Sequence, residues 1–114
     1  MAEKGYPCPS CGFIVFDSPG GWEICPICDW EDDPVQMINP NMQGGANRIC
    51  LWEAQQKILK NVPLSMHLHQ GYQRDPKWRP LTEDEARNNR DIPKSGRDYF
   101  DAILYDTFKY YWEK

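Results

Sequence analysis

Histidine is nearly missing from this chain of 114 residues: His67 and His69 are the only two. A catalytic metal site usually takes histidine or carboxylate ligands and keeps one coordination position open, and no third ligand type gathers beside this pair. On an extended piece the two rings would share one side, but they read as surface loop residues. No apolar run approaches the roughly 18 residues that a membrane span requires. The first residues, Met-Ala-Glu-Lys-Gly, lack the basic-then-apolar order of a secretory leader, so the cytoplasm is the expected location. Gly-x-Ser-x-Gly, Gly-x-x-x-x-Gly-Lys and a Ser-His-Asp set are all absent, which leaves acyl transfer and nucleotide hydrolysis without a foothold. The chain reads as a non-enzyme with no catalytic residue. Bases are scarce in the first part, where residues 1–46 hold Lys4 against seven acids, a net charge of −6. Such a surface repels the phosphate backbone that dominates nucleic-acid affinity.

Cysteine is present in a pattern. Cys8-Pro-Ser-Cys11 and Cys25-Pro-Ile-Cys28 are two Cys-x-x-Cys pairs separated by thirteen residues. Each pair can bend into a knuckle whose two thiolates face one cation, and a short connection can bring the knuckles into a four-cysteine tetrahedron. Pro9 and Pro26 pre-shape the turns with a fixed φ, while Gly12 and Asp29 are residue types that tolerate a left-handed conformation directly after each pair. Four cysteines fill the tetrahedron, so one structural Zn²⁺ is expected on Cys8, Cys11, Cys25 and Cys28. Iron is the chemical runner-up, since the same all-sulfur site accepts it. Two disulfides are the plainer alternative, disfavoured because nothing signals secretion and five cysteines are the wrong parity for a closed framework. The fifth, Cys50, reads as a small buried filler, with a reactive thiol at a helix start as the sharper alternative.

The expected fold class is α+β: a small four-cysteine zinc ribbon packed with two or three α-helices. Residues 1–46 form the ribbon lobe and an acidic loop, and 47–114 a helical remainder, together one compact unit. Phe13–Phe16 and Trp22–Ile24 read as the two strands of a hairpin across the metal, with Asp17-Ser-Pro-Gly-Gly21 as the turn. Trp30–Val35 reads as extended and acidic, and residues 39–47 as a loop. A helix is expected from Asn47 or Cys50 to about Lys60, with Leu51, Gln55 and Ile58 on one face and Glu53 in capping-box position. Four prolines and glycines between Val62 and Pro80 leave a structured loop. Thr82-Glu-Asp-Glu85 signals a helix start with its own capping box, and Phe100, Ile103, Leu104, Phe108 and Tyr111 form an apolar stripe expected to dock on the Leu51–Leu59 helix.

The stretches Tyr6-Pro-Cys-Pro-Ser-Cys-Gly-Phe13, Pro19-Gly-Gly21, Glu23-Ile-Cys-Pro-Ile-Cys-Asp-Trp-Glu-Asp-Asp33 and Gly44-Gly-Ala-Asn47 before Leu51-Trp-Glu-Ala54 together resemble the bacterial cysteine-rich CPCC family over about residues 6–60. The resemblance implies a small zinc-binding architecture more than an activity. One position departs: Ser10 stands at the third position of the family's Cys-Pro-Cys-Cys, where the family has a cysteine, which argues that the extra thiol is not an obligatory ligand.

Glu31-Asp-Asp33 beside Trp30 divides between a solvated acidic run and a recognition patch, because large amphipathic rings near fixed negative charge suit a basic protein partner. Trp30, Glu31, Asp32 and Asp33 are therefore the candidate partner-binding residues. The expected function is a zinc-stabilised protein-interaction module, in its concrete form an immunity-type inhibitor of a basic toxin such as a nuclease. Nucleic-acid binding is the alternative. The basic zone around Arg74–Arg79 would serve it, yet the interleaved acids favour a solvated, ion-paired surface.

Overall fold

Gly12 and Asp29 decide how the first part of the chain folds. Each follows a cysteine pair with a left-handed φ, 82° and 65° respectively, so the backbone reverses at once and pairs with the residues just before it. In the computed structural model, which describes residues 5–87 and 110–113, β1 (Tyr6–Pro7) runs antiparallel to β2 (Ile14–Phe16), with Tyr6 opposite Phe16 and Pro7 opposite Ile14. The second pair is framed likewise: Ile24 bridges Glu31, Trp22 N–H donates to Asp32 O at 3.1 Å, and Asp32 N–H donates to Glu23 O at 2.8 Å. The hairpin expected between Phe13–Phe16 and Trp22–Ile24 is thus corrected. Each knuckle closes its own short ladder, and the Asp17–Gly21 turn is pinned from outside, by Glu23 Oε2 accepting from Asp17 N–H and Asp32 Oδ2 accepting from Gly20 N–H.

The acidic stretch does not run on as an extended strand. Asp33 is the N-cap of α1 (Pro34–Ile38), its Oδ1 accepting from the amides of Val35 and Gln36, and Pro34 takes the first helical position, where its missing N–H costs nothing. The following loop is held by side chains. Gln36 donates to the carbonyls of Met42, Asn47 and Ile49, Asn47 bonds Glu31 through both its Oδ1 and Nδ2, and Asp33 Oδ2 accepts from Ala46 N–H. A Cβ on Gly45 would lie 2.7 Å from Asp33 Oδ2 and Gln36 Cδ, which is why this Gly-Gly-Ala-Asn stretch can close over them.

Helix α2 (Leu51–Asn61) begins at Cys50, whose thiol makes no capping bond, and no capping box forms with Glu53. Its inner face buries Leu51 and Gln55. A second small hairpin, β3 (Leu68–His69) with β4 (Tyr72–Gln73), lies within the Pro-rich stretch. Helix α3 (Glu83–Arg87) has the full capping box, with Glu85 N–H donating to Thr82 Oγ1 at 3.1 Å and Thr82 N–H to Glu85 Oε1 at 2.9 Å. Tyr111–Glu113 forms a 3₁₀ turn. The class is α+β, with two small antiparallel hairpins and three α-helices among the described residues. Phe13, Phe16, Trp30, Met37, Leu51, Val62 and Leu81 join Tyr110 and Tyr111 in one core that also encloses Cys8, Cys11 and Cys25. Of the stripe expected on α2, Tyr111 is buried and accepts from Gln55 Nε2 at 2.8 Å, while Phe100, Ile103, Leu104 and Phe108 lie outside the described residues. Among the described residues no helix is long and apolar enough to cross a membrane.

Candidate metal centre

The two knuckles repeat one backbone pattern. Cys8 N–H donates to Phe13 O and Gly12 N–H to Cys8 O, at 2.9 and 2.7 Å; Cys25 N–H donates to Trp30 O and Asp29 N–H to Cys25 O, at 2.8 and 2.9 Å. In the second knuckle Ile27 N–H also points at Cys25 Sγ, 3.4 Å away. Both turns present their sulfurs to one point, and the four Sγ atoms of Cys8, Cys11, Cys25 and Cys28 lie within 4.8 Å of one another. Sulfurs about 2.3 Å from a central ion in a tetrahedron stand about 3.8 Å apart. The separations of 3.6 Å between Cys8 and Cys28 and 3.7 Å between Cys11 and Cys25 match that edge. No cysteine is bonded to another, so the donor set fits a four-sulfur metal ion.

Electrostatics make the same demand. Burial, then the neighbouring sulfurs, push the Cys8 thiol up; hydrogen bonding to Cys25 and then Cys28 pushes Cys11 up. Hydrogen bonds from Cys11 and Cys28 hold Cys25 down. Four sulfurs this close share protons, with one thiolate fed by its neighbours, and only a cation lets all four ionise together. With every tetrahedral corner a sulfur, the site has no open position for a substrate.

The first knuckle is clamped by the second half of the chain, and this clamp had no local signature. Pro9 O accepts from Gln55 Nε2 at 2.9 Å and from the Trp78 indole at 3.1 Å; Gly12 O accepts from Asp75 N–H at 2.8 Å. Arg74, only 5% exposed, donates Nε to Cys11 O at 2.8 Å and its remaining groups to the carbonyls of Val62, Pro63 and Met66. Its guanidinium lies 4.5 Å from the Phe13 ring centre and 5.3 Å from that of Trp78. Burial lowers its pKa, while the Cys11 sulfur acts in the opposite sense. The surface role read for the Arg74 end of the basic zone is therefore corrected, because its donors are already spent inside. Arg79 is paired with Glu85 through two bonds of 2.7 and 2.8 Å, which fits the ion-paired reading.

The candidate partner-binding residues do not form a surface patch. Trp30 is 2% exposed, Asp32 2% and Asp33 3%; only Glu31 is half-buried. Trp30 belongs to the core, Asp33 caps α1, and Asp32 holds the Asp17–Gly21 turn. That burial pushes the Asp32 carboxyl up to about 7, against the amides of Gly20 and Gly21, which lower it. Large hydrophobic side chains that do face outward include Tyr6, Trp22 and Ile24, the last 63% exposed. His69 lies half-buried in the β3–β4 hairpin beside Gln70, and among the described residues neither it nor His67 joins a metal-ligating cluster. Cys50 is buried apart from the four.

No curated protein matches the chain. The family model described as cysteine-rich CPCC matches residues 6–75, further than the motifs alone reached, since it takes in the β3–β4 hairpin and Arg74. Both knuckles and the arginine that locks the first of them fall within that match, and the chain belongs to the cysteine-rich CPCC family.

Proposed function

We propose that this protein is a non-enzymatic interaction module whose four-cysteine centre takes one Zn²⁺ as a structural ion. The observation that carries the reading is a complete sulfur tetrahedron with three corners sealed in the core, a site able to hold an ion and unable to admit a substrate. The ion would bond both knuckles at once, so binding free energy becomes folding free energy. Iron is the competing occupant, since the donor set suits both metals.

A basic protein is the partner we propose, and an immunity-type inhibitor of a basic toxin such as a nuclease is the concrete form. The support is the net −6 over residues 1–46, to which four thiolates on a divalent ion add −2. With Trp30, Asp32 and Asp33 inside, contact would fall on Trp22 and Ile24 with the acids that flank them, Asp17, Glu23 and Asp29. Nucleic-acid binding is opposed by that charge and by the burial of Arg74.

Elemental analysis of protein purified without chelator tests the metal, with one zinc per chain expected. Absence of metal would end the reading, and stoichiometric iron would replace zinc. Titration with labelled DNA and RNA at low salt tests the partner class, and submicromolar, salt-sensitive binding would overturn the choice of a protein.

A further inference from the structure

Exposed apolar side chains gather in two places. Of the five large ones that face outward among the described residues, Trp22 and Ile24 belong to the second knuckle, while Leu64 and Leu68 follow α2 and are 49% and 63% exposed. Their charge settings are opposite. Residues 17–33 hold six acids and no base, whereas residues 54–74 hold Lys57, Lys60 and Arg74 and no acid. Arg74 braces the second place from beneath: its guanidinium donates to the carbonyls of Pro63 and Met66, across the turn that Met66 N–H closes on Pro63 O, and its amide donates to His67 O at 2.8 Å. Leu64 therefore stands at the tip of a fixed turn, with the exposed Lys60 before it in the last turn of α2 and Leu68 after it on β3. Leucines held rigidly in water, on a surface free of carboxylates, mark a contact surface.

We propose that the Leu64–Leu68 surface docks, head to tail, on the Trp22–Ile24 surface of a second copy of this chain. Each surface carries what the other calls for: Leu64 and Leu68 beside Lys60 on one, Trp22 and Ile24 beside Asp17, Glu23 and Asp29 on the other. Burial of the apolar side chains supplies the attraction, and opposite charge around them sets the register and speeds encounter. The two surfaces do not meet within one chain, since both are exposed, and they hang on different knuckles: Arg74 bonds its hairpin to Cys11 O in the first, and Ile24 bridges Glu31 in the second. Either surface set against its own copy would bring like charges together, so the contact is heterologous and every copy keeps one surface open for the next. Four anchoring side chains make a small interface, and the association is therefore weak and reversible. It does not rest on the basic-partner reading, but the two share Ile24, and a basic partner would displace the second copy.

Sedimentation velocity of the full-length protein, from about 10 μM to about 1 mM, should show an average mass that rises from that of a single chain and falls back at high salt. Leu68→Glu puts an acid on the acid-free surface, and Ile24→Lys puts a base on the acidic one. Both side chains are 63% exposed, so both changes are compatible with folding, which metal content and urea unfolding check. Each variant alone should associate about tenfold more weakly or less still, the scale of one buried aliphatic side chain. Mixed in equal amounts they should form one-to-one pairs and stop there, because Ile24→Lys keeps the leucine surface and Leu68→Glu keeps the acidic one. A wild type that stays monomeric throughout the range would overturn the proposal, as would association indifferent to salt or a mixture that pairs no better than either variant. Ile24→Lys associating like wild type would mean that the leucine surface meets itself, which also overturns it. Flotation with phosphatidylcholine–phosphatidylserine vesicles covers the other occupant: a monomeric wild type captured there, and released by Leu68→Glu, would assign the surface to an anionic membrane and remove the second copy. Failure of the zinc reading shows separately, in the metal content.

Discussion

Replacing Arg74 with methionine would keep an apolar stem between Phe13 and Trp78 while deleting every donor of the guanidinium. Four carbonyls would lose a partner: Cys11, Val62, Pro63 and Met66. They do not count equally. Pro63 is exposed and Met66 partly so, and water can take over there; Cys11 and Val62 are buried, so their oxygens stay unpaired. An unsatisfied buried acceptor costs about 1–3 kcal/mol, and loss of two ring contacts to the cation adds about 1 kcal/mol. The expected destabilisation is about 3–7 kcal/mol, a large share of the roughly 5–15 kcal/mol that holds a domain folded. Arg74→Lys should recover little, since one ammonium on a flexible stem cannot span carbonyls that a planar fork reaches together. Urea unfolding at a fixed free metal concentration is the assay, because metal binding is linked to folding. Metal release to a chelator should also quicken, as the lost bond to Cys11 O lies within the first knuckle. A cost below about 1 kcal/mol for Arg74→Met would show that water replaces the guanidinium at every carbonyl, and the clamp would have to be abandoned.

Asp32 carries the pH dependence. Its carboxyl is pushed from 3.8 to about 7, so the folded chain keeps a proton there that the unfolded chain releases. The contribution is full below pH 3.8, is lost as pH rises towards about 7, and changes little beyond. Asp32→Asn, which keeps an acceptor for Gly20 N–H, should therefore be near neutral at pH 4 and more stable than wild type at pH 8 by on the order of 2–4 kcal/mol; parallel stability-versus-pH curves for the two proteins would refute this. Gly12→Ala places a Cβ 2.4 Å from Trp78 Cδ2 at a φ of 82°. Combined overpacking and left-handed strain should cost about 2–4 kcal/mol, read as a lowered melting temperature with altered tryptophan emission, and a shift within error would mean that Trp78 yields freely.

What was legible in the sequence was local. Cysteine spacing, the prolines inside each pair and the left-handed types after them specify the knuckles within six residues, and Thr82 with Glu85 specifies a helix start within four. The strand pairing failed for a reason equally local: Gly12 and Asp29 reverse the chain so tightly that β2 meets β1 before it can reach Trp22. The Asp33-Pro34 helix start was masked because three acids in a row read first as charge. Burial of Trp30 and Asp32 and the role of Arg74 could not be read at all, since each depends on partners far along the chain. An arginine among Asp75, Lys77 and Arg79 has the composition of a surface, and only the arrival of Cys11 O turns it inward.

The two knuckles are supported from different directions, and this gives the metal its structural meaning. The first hangs on Gln55, Arg74, Asp75 and Trp78, so it is fixed relative to α2 and the β3–β4 hairpin. The second rests on its own ladder, which Asn47 and the Asp33 cap tie to α1 and the Gly-Gly-Ala-Asn loop. An ion bonded to all four sulfurs therefore joins two separately braced bodies, and closing them costs chain entropy that neither brace offsets alone. The acidic run fits the same division. Asp32 and Asp33 are spent on building the second body and cannot also serve as its recognition surface, so under the proposed reading the charge available to a partner would be that of Asp17, Glu23 and Asp29, beside the exposed Trp22 and Ile24.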